Sequence, residues 1–408
     1  MAQTLKFGNG TWATKKGSTL AYNDENDNYK PLPFTTTRAS GATRVNKEGL
    51  IEVVENDRPR IDYTDSAKGA LLLEPQRTNQ MINSEDLTGW VIQAGATITL
   101  ESINNPVNST NANLITANTN GAYANRTTPD VSALYNVSFW LHKNNESGTI
   151  QLTNAQGGTL GDWTINLDLL QNDFVRITRD HSSVTVITEF ITLASGDIAP
   201  FFKSPTGTKS FYVTGFQLEV GSYPTSYIPT QGASATRLAD TASGSGNSEV
   251  FNDSEGVLFV DISALSDDLT NRFISLTDGS NDNRVLFGYR ATSNQILARI
   301  EGNNSASVDL TTVLSNTEIN AKITISYDSS YNYKMFVNGF LVDSGVGTDG
   351  IVGLDRLDFT NASGTENFYG KTKEIGYYNT ILTDLELETL TSYSSLSELV
   401  TELNLNTL

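Results

Sequence analysis

Two sets of residues in this 408-residue chain could do chemistry: planar aromatics and loops rich in oxygen ligands. Trp90, Trp140 and Trp163, with Tyr289, Tyr331 and Tyr333, are the kind of side chain that stacks on a sugar ring. Neighbouring amides and carboxylates would then meet the sugar hydroxyls. Aromatics also build the interiors of β-sandwiches, so the six are candidates for a carbohydrate surface and for packing alike. The loop TDGSNDNR, residues 277–284, offers Asp278, Asn281, Asp282 and Asn283 close together. Calcium selects such carboxylate and amide oxygens. DENDN at 24–28 is a second acidic cluster. Tight turns favour the same residues for backbone reasons, so each loop also reads as a hairpin turn.

Hydrolytic chemistry has less to stand on. Glycoside hydrolysis needs two carboxylates on one face, and the closely spaced pairs are Glu52 with Glu55, Asp355 with Asp358, and Glu386 with Glu388. None is flanked by the aromatic-rich strand that builds a sugar cleft. The only histidines, His142 and His181, lie far apart in sequence and read as surface residues at strand ends. There is no cysteine, which excludes disulfides, thiolate metal sites and cysteine nucleophiles. No phosphate-binding or nucleophile-elbow motif stands in a strand–helix context. We therefore assign no catalytic residue and read the chain as a non-enzyme. An enzyme that cuts polysaccharide is the alternative.

The balance of 27 basic against 46 acidic residues gives a net charge of −19. Repulsion from phosphate disfavours nucleic acid and anionic lipid as partners. No apolar run is long enough to span a bilayer. The opening MAQTLKFGNGTW lacks the basic and apolar regions of a signal peptide, so we expect assembly inside a cell rather than export.

These residues must be positioned by strands. Thirty-two glycines, with abundant Asn, Thr and Ser, punctuate short runs of alternating apolar and polar residues, the pattern of an all-β chain. In YNVSFWLHK, Tyr135, Val137, Phe139 and Leu141 share one face. NYKMFVNGFLVDSG predicts two strands meeting at Asn338-Gly339, a type I′ hairpin. Thr383, followed three residues later by Glu386, predicts a helix start, and a short helix or a strand-like tail follows it. The expected organisation is an N-terminal extended, trimerising segment over 1–84 and a sandwich over 85–240. A Ser/Gly linker over 241–249, a second antiparallel sandwich over 250–392 and a C-terminal tail over 393–408 follow. The segment over 1–84 holds too few apolar residues to be stable alone, so it should pack on other copies or a partner. In LEVGSYPTSYIPTQGASATRLAD, residues 218–240, Phe216 and Leu218 close the first sandwich, and Pro224 and Pro229 then stop the ladder. Tyr223 and Tyr227 should lie against the domain they leave.

The stretches KFGNGTWATKKGSTLAYNDENDNYKPLPF, ATRVNKEGLIEVVENDRPRIDY and GALLLEPQRTN resemble the leader of fibre or appendage proteins of tailed bacteriophages. SEDLTGW and GFQLEVGSYPTSYIPTQGASATRLAD are similar to the carbohydrate-binding-like sandwich that follows such leaders. The region from GVLFV to EIGYYNTILTDLELETL resembles the concanavalin-like, laminin-G-like jelly roll. The resemblance implies a head or tail fibre on the virion surface, a homotrimer joined to other virion proteins through its N-terminal segment. It also implies adhesion to host-surface glycans, with a purely structural decoration protein as a further alternative.

Overall fold

Alternation of period two with turn residues at the joints dictates antiparallel pairing, and every named strand pair among the described residues is antiparallel. The computed structural model describes residues 3–107, 111–123, 133–154, 163–177, 191–193, 200–303 and 308–402. The chain forms two units, each drawn from separate stretches. The first comprises Met1–Gly41, Val54–Pro75 and Ala239–Leu408, and the second Ala42–Val53 and Gln76–Leu238.

The second unit packs two antiparallel sheets around one core. Its six-stranded sheet centres on Lys209–Val220 and Ala133–His142, and its five-stranded sheet on Pro200–Lys203 and Thr149–Asn154. Tyr135, Val137, Phe139 and Leu141 face the core as the alternation predicts, beside Phe216 and Leu218. Tyr223 and Tyr227 are 1% exposed, and the Tyr227 hydroxyl lies 2.5 Å from Ser84 Oγ. Burial, with the Glu85 carboxylate second, pushes that phenol well above its ordinary pKa.

In the first unit a ten-stranded sheet runs from Phe340–Val346 through Asn332–Val337, Ala321–Tyr327, Gly256–Ala264 and Gly370–Tyr378 to Leu5–Gly8. It faces a five-stranded sheet built on Arg272–Thr277, Arg284–Tyr289, Gln295–Glu301 and Val308–Val313. Pairing of Leu5–Gly8 with Gly370–Tyr378 corrects the expectation that residues 1–84 stand as a segment apart from the C-terminal sandwich. Leu5, Phe7, Leu32, Phe34, Ile61 and Leu71 belong to the same core as Ile274 and Phe287. The apolar residues of this segment are sparse because the C-terminal jelly roll supplies the opposing surface. Phe34 meets Phe7 at 4.9 Å and Phe359 at 5.1 Å between ring centroids.

Residues 241–249 are likewise not a loose linker. Thr241–Ser243 is a strand paired with Phe34–Thr37, and Ser245 is buried with its hydroxyl donating to the Leu32 carbonyl at 2.6 Å. Small side chains here allow close packing rather than freedom. The C-terminal region forms two helices, α1 (Asp384–Thr391) and α2 (Leu396–Glu402). The expected Thr383–Glu386 capping box is present, and α1 lays Leu387 on Val257, Phe336 and Tyr378 of the large sheet.

Two buried polar networks hold segments distant in sequence. In the first unit, Asp240 Oδ1 accepts from Arg38 Nη1 at 2.9 Å, and its other oxygen accepts from Arg60 and from the Glu74 amide. Arg60 Nη1 also donates to Glu74 Oε2 at 2.6 Å. Burial alone would weaken the Arg60 charge. The Asp240 and Glu74 carboxylates more than reverse this and hold its pKa above the ordinary arginine value. In the second unit, buried Glu219 accepts from the Thr225 amide at 3.0 Å, from its hydroxyl, and from Gln217 Nε2 at 2.8 Å. Arg237 Nη1 donates to the same Thr225 hydroxyl at 3.0 Å.

Candidate functional site

Four of the six aromatics chosen from sequence lie in cores, which corrects their assignment as sugar platforms. Trp90 stacks on Phe202 and meets Phe216 edge-on at 5.3 Å. Trp140 stands edge-on to Tyr227 at 5.6 Å, with the Arg176 guanidinium 4.9 Å over its ring. The indole also presses on Gly215, whose φ of +61° and close approach to the ring require glycine there. Tyr289 is buried against Phe368, and Tyr333 is 3% exposed. Burial pushes both phenols upward in pKa. Stacking on a sugar needs an open ring face, and these have none. Trp163 opens the strand Trp163–Asn166, but its side chain lies outside the described residues. Tyr331 is 37% exposed and closes the Asp328–Asn332 turn at positive φ.

The 277–284 loop folds on itself. Asp278 Oδ1 accepts from the Ser280 amide at 2.8 Å and hydroxyl at 2.6 Å, and Oδ2 accepts from Asn283 Nδ2 at 3.2 Å. Burial opposes the Asp278 charge, yet these bonds outweigh it and hold its carboxyl below the usual range. Asn281 Oδ1 accepts from Arg284 Nη1 at 2.6 Å, and Asn283 Oδ1 from the Asn303 and Val352 amides. Asp282 is exposed, its amide donating to Ser280 Oγ at 3.2 Å. The oxygens that calcium would need thus close a turn, and Arg284 brings a positive charge to it. In the 24–28 loop, Asp24 is paired with Lys6 at 2.7 Å. Among the described residues no group of three or more His, Asp or Glu side chains could hold a metal ion.

The carboxylate pairs also have structural partners. Glu52 pairs with Arg44, Glu55 with Arg58 and Asp355 with Arg356. Asp358 accepts from the Gly244 amide, Glu386 caps α1, and Glu388 lies exposed on that helix. His142 Nδ1 accepts from the Asn144 amide at 3.1 Å, and His181 lies outside the described residues.

One concavity in the first unit places amides and hydroxyls beside an exposed aromatic ring. Where the edge strands Val308–Val313 and Phe340–Val346 approach, a concavity of about 350 Å³ opens between the 314–320 loop and the Asn338-Gly339 hairpin. The predicted type I′ turn builds one wall, with φ of +48° at Asn338 and +88° at Gly339. Lys322 N donates to Asn338 Oδ1 and Asn338 N to the Lys322 carbonyl, both at 2.9 Å, while Gly339 N donates to Thr391 Oγ1 at 3.1 Å. The hairpin tip is therefore fixed to a central strand and to α1. The next residue, Phe340, is 73% exposed and Val313 opposite is 66% exposed. The other wall is fixed as firmly: Leu314 N donates to the Asn294 carbonyl at 2.8 Å and Thr317 N to Asn294 Oδ1 at 3.2 Å.

The amides of the pocket are oriented by their neighbours. Asn316 Oδ1 accepts from the Glu318 amide at 2.8 Å and Asn338 Oδ1 from Lys322, which leaves both side chains their NH2 donors. Asn320 Nδ2 donates to Asp261 Oδ1 at 2.8 Å, which leaves it a carbonyl acceptor. Thr312 and Ser315 add hydroxyls. Phe340 was absent from the aromatic candidates because its strand alternates like any other. The signal that could have found it was its place directly after the NG turn, on a strand that ends the sheet.

No protein-family description matches the chain, and no curated protein matches it in sequence. Among solved structures it is similar to the Ruminococcus gnavus IT-sialidase CBM40 bound to α2,3-sialyllactose, at 18% identity and a TM-score of 0.31, over 37% of this chain and 94% of that one. A native heptameric SAP-like pentraxin from Limulus polyphemus follows at 12% identity and TM-score 0.28, over 35% and 71% of the two chains. The binding domain of botulinum neurotoxin serotype G gives 20% identity and TM-score 0.29, over 37% and 39%. Overlap at this level leaves the functional reading to the residues themselves.

Proposed function

We propose that this chain is a carbohydrate-binding adhesion protein of a bacteriophage virion appendage, a head or tail fibre that holds host-surface glycans without cleaving them. The observation that carries the glycan reading is the exposed Phe340 beside a concavity lined by apolar side chains together with the amides of Asn316, Asn320 and Asn338 and the hydroxyls of Thr312 and Ser315. An aromatic face meets the C–H surface of a sugar, and oriented amides meet its hydroxyls. The virion setting is supported by the resemblance of the leader and sandwich segments to phage fibres. Self-association as a trimer and attachment to other virion proteins belong to the same reading, and repeated weak sugar contacts would then sum to useful avidity.

The test is incubation of the full chain with host surface polysaccharide. Retention of the protein without release of reducing ends is expected. Release of reducing ends would replace adhesion with the depolymerase alternative, and absence of binding would favour a decoration protein. Light scattering reads the oligomeric state separately, and a stable monomer would remove the trimer.

A further inference from the structure

We infer that the pocket between the 314–320 loop and the Asn338-Gly339 hairpin takes an uncharged saccharide and rejects acidic sugars. This rests on the carbohydrate-binding reading above and adds the ligand class. No lining residue carries a formal charge. The polar functions that remain are two NH2 donors, one carbonyl acceptor and two hydroxyls. This mixed set matches neutral sugar hydroxyls, each of which both donates and accepts.

A carboxylate or sulfate placed here would lose water and find no cation in return, which is costly. Two of the charged residues next to the lining, Asp261 and Asp343, are acidic. Asp261 holds Asn320, and Asp343 Oδ2 accepts from the Thr311 amide at 2.8 Å. The Lys322 ammonium is committed elsewhere, to Glu398 at 2.6 Å and over the Tyr393 ring at 5.1 Å. The net charge of −19 adds long-range repulsion of anions.

Phe340 supplies the stacking face. Its backbone pairs with Val337 directly after the tethered Asn338-Gly339 tip, so little backbone order is lost when a ligand arrives. Because its ring stands mostly in solvent, replacing it leaves the fold intact.

The experiment titrates the full chain with matched neutral oligosaccharides and acidic ones carrying sialic or uronic acid, followed by ligand-observed NMR at low and high salt. Binding confined to the neutral members and insensitive to salt is expected. Phe340→Ala should weaken it about tenfold, and Phe340→Trp should restore it. Circular dichroism of both variants should match that of the parent. Binding confined to acidic members, or weakened by salt, would overturn this inference while leaving the carbohydrate reading intact. Neutral binding indifferent to Phe340→Ala would overturn the assignment to this pocket. Binding of no oligosaccharide at all would overturn both.

Discussion

The two units bury charge in opposite ways. In the first, two guanidinium groups and two carboxylates are linked: Arg38 and Arg60 share Asp240, and Arg60 also holds Glu74. In the second, the Glu219 carboxylate is held by an amide, a hydroxyl and a carboxamide, with Arg237 reaching the same hydroxyl. A set of opposite formal charges is geometrically demanding, because removing one member leaves a buried charge uncompensated. A carboxylate held by neutral donors loses less when its charge is removed, because the donors remain able to bond. The difference follows from what each network must do. The first gathers residues from around positions 38, 60, 74 and 240, whereas Gln217, Glu219, Thr225 and Arg237 of the second lie within one short stretch.

That contrast can be broken most sharply at Asp240. Asp240→Asn keeps the shape but strands two guanidinium groups with one carboxylate. It should lower stability by about 3–5 kcal/mol in denaturant titrations. Hydrogen exchange should rise first in Leu5–Gly8, Phe34–Thr37 and Ala70–Leu73. A loss below that of the next variant would show that the arginine network is not the stronger tie.

Glu219→Gln is the matching change in the second unit. Its new NH2 would face the Gln217 and Thr225 donors, so a smaller loss of roughly 1–3 kcal/mol is expected. Exchange should rise in Lys209–Val220, with the leader strands unchanged. Equal losses for the two variants would erase the distinction.

The smallest effect concerns a half-buried carboxyl whose compensation is outweighed. Glu374 lies directly across from Asp261 on neighbouring strands, with Asn9, Lys68 and Lys322 also acting on it. Burial, and then the Asp261 charge, push its carboxyl up to about 7. The folded protein therefore keeps a proton that the unfolded chain releases near 4.5. Stability is fully present below pH 4.5 and falls as pH rises to about 7. Because Glu374 keeps some contact with solvent, the fall from this one group should be roughly 1–2 kcal/mol. Glu374→Gln should remove that part of the pH dependence, read from melting temperatures across the range. An unchanged pH profile would refute it.

Much of the local structure was legible because it depends on near neighbours. The Asn338-Gly339 hairpin needs two positive φ values, and Asn-Gly supplies them. The α1 start needs an oxygen for its first amides, and Thr383 with Glu386 supplies it. The core face of 135–141 follows from period-two alternation. The aromatic candidates failed for a related reason. Alternation tells which residues share a face, but not whether that face meets another sheet or water. Trp140 alternates away from the Phe139 face and is still buried, because the chain around Tyr227 packs over it.

The misread boundaries have the same cause. Sparse apolar residues in 1–84 argued against a core of its own, yet nothing local could say which surface they would join. The Ser/Gly composition of 241–249 fits both a loose linker and a strand that must pack closely. Pairing with Phe34–Thr37 chose the second.

The sequence by itself determined an all-β chain without cysteine chemistry, its strands, its sharpest hairpin and its capped helix. Each is fixed by the chirality, periodicity and hydrogen-bonding needs of a few adjacent residues. Only the tertiary structure decided that Leu5–Gly8 completes the C-terminal sheet, that Asp240 collects two arginines, and that Phe340 rather than Trp90 faces water. Those outcomes depend on which distant surfaces meet, and burial is a property of the whole fold.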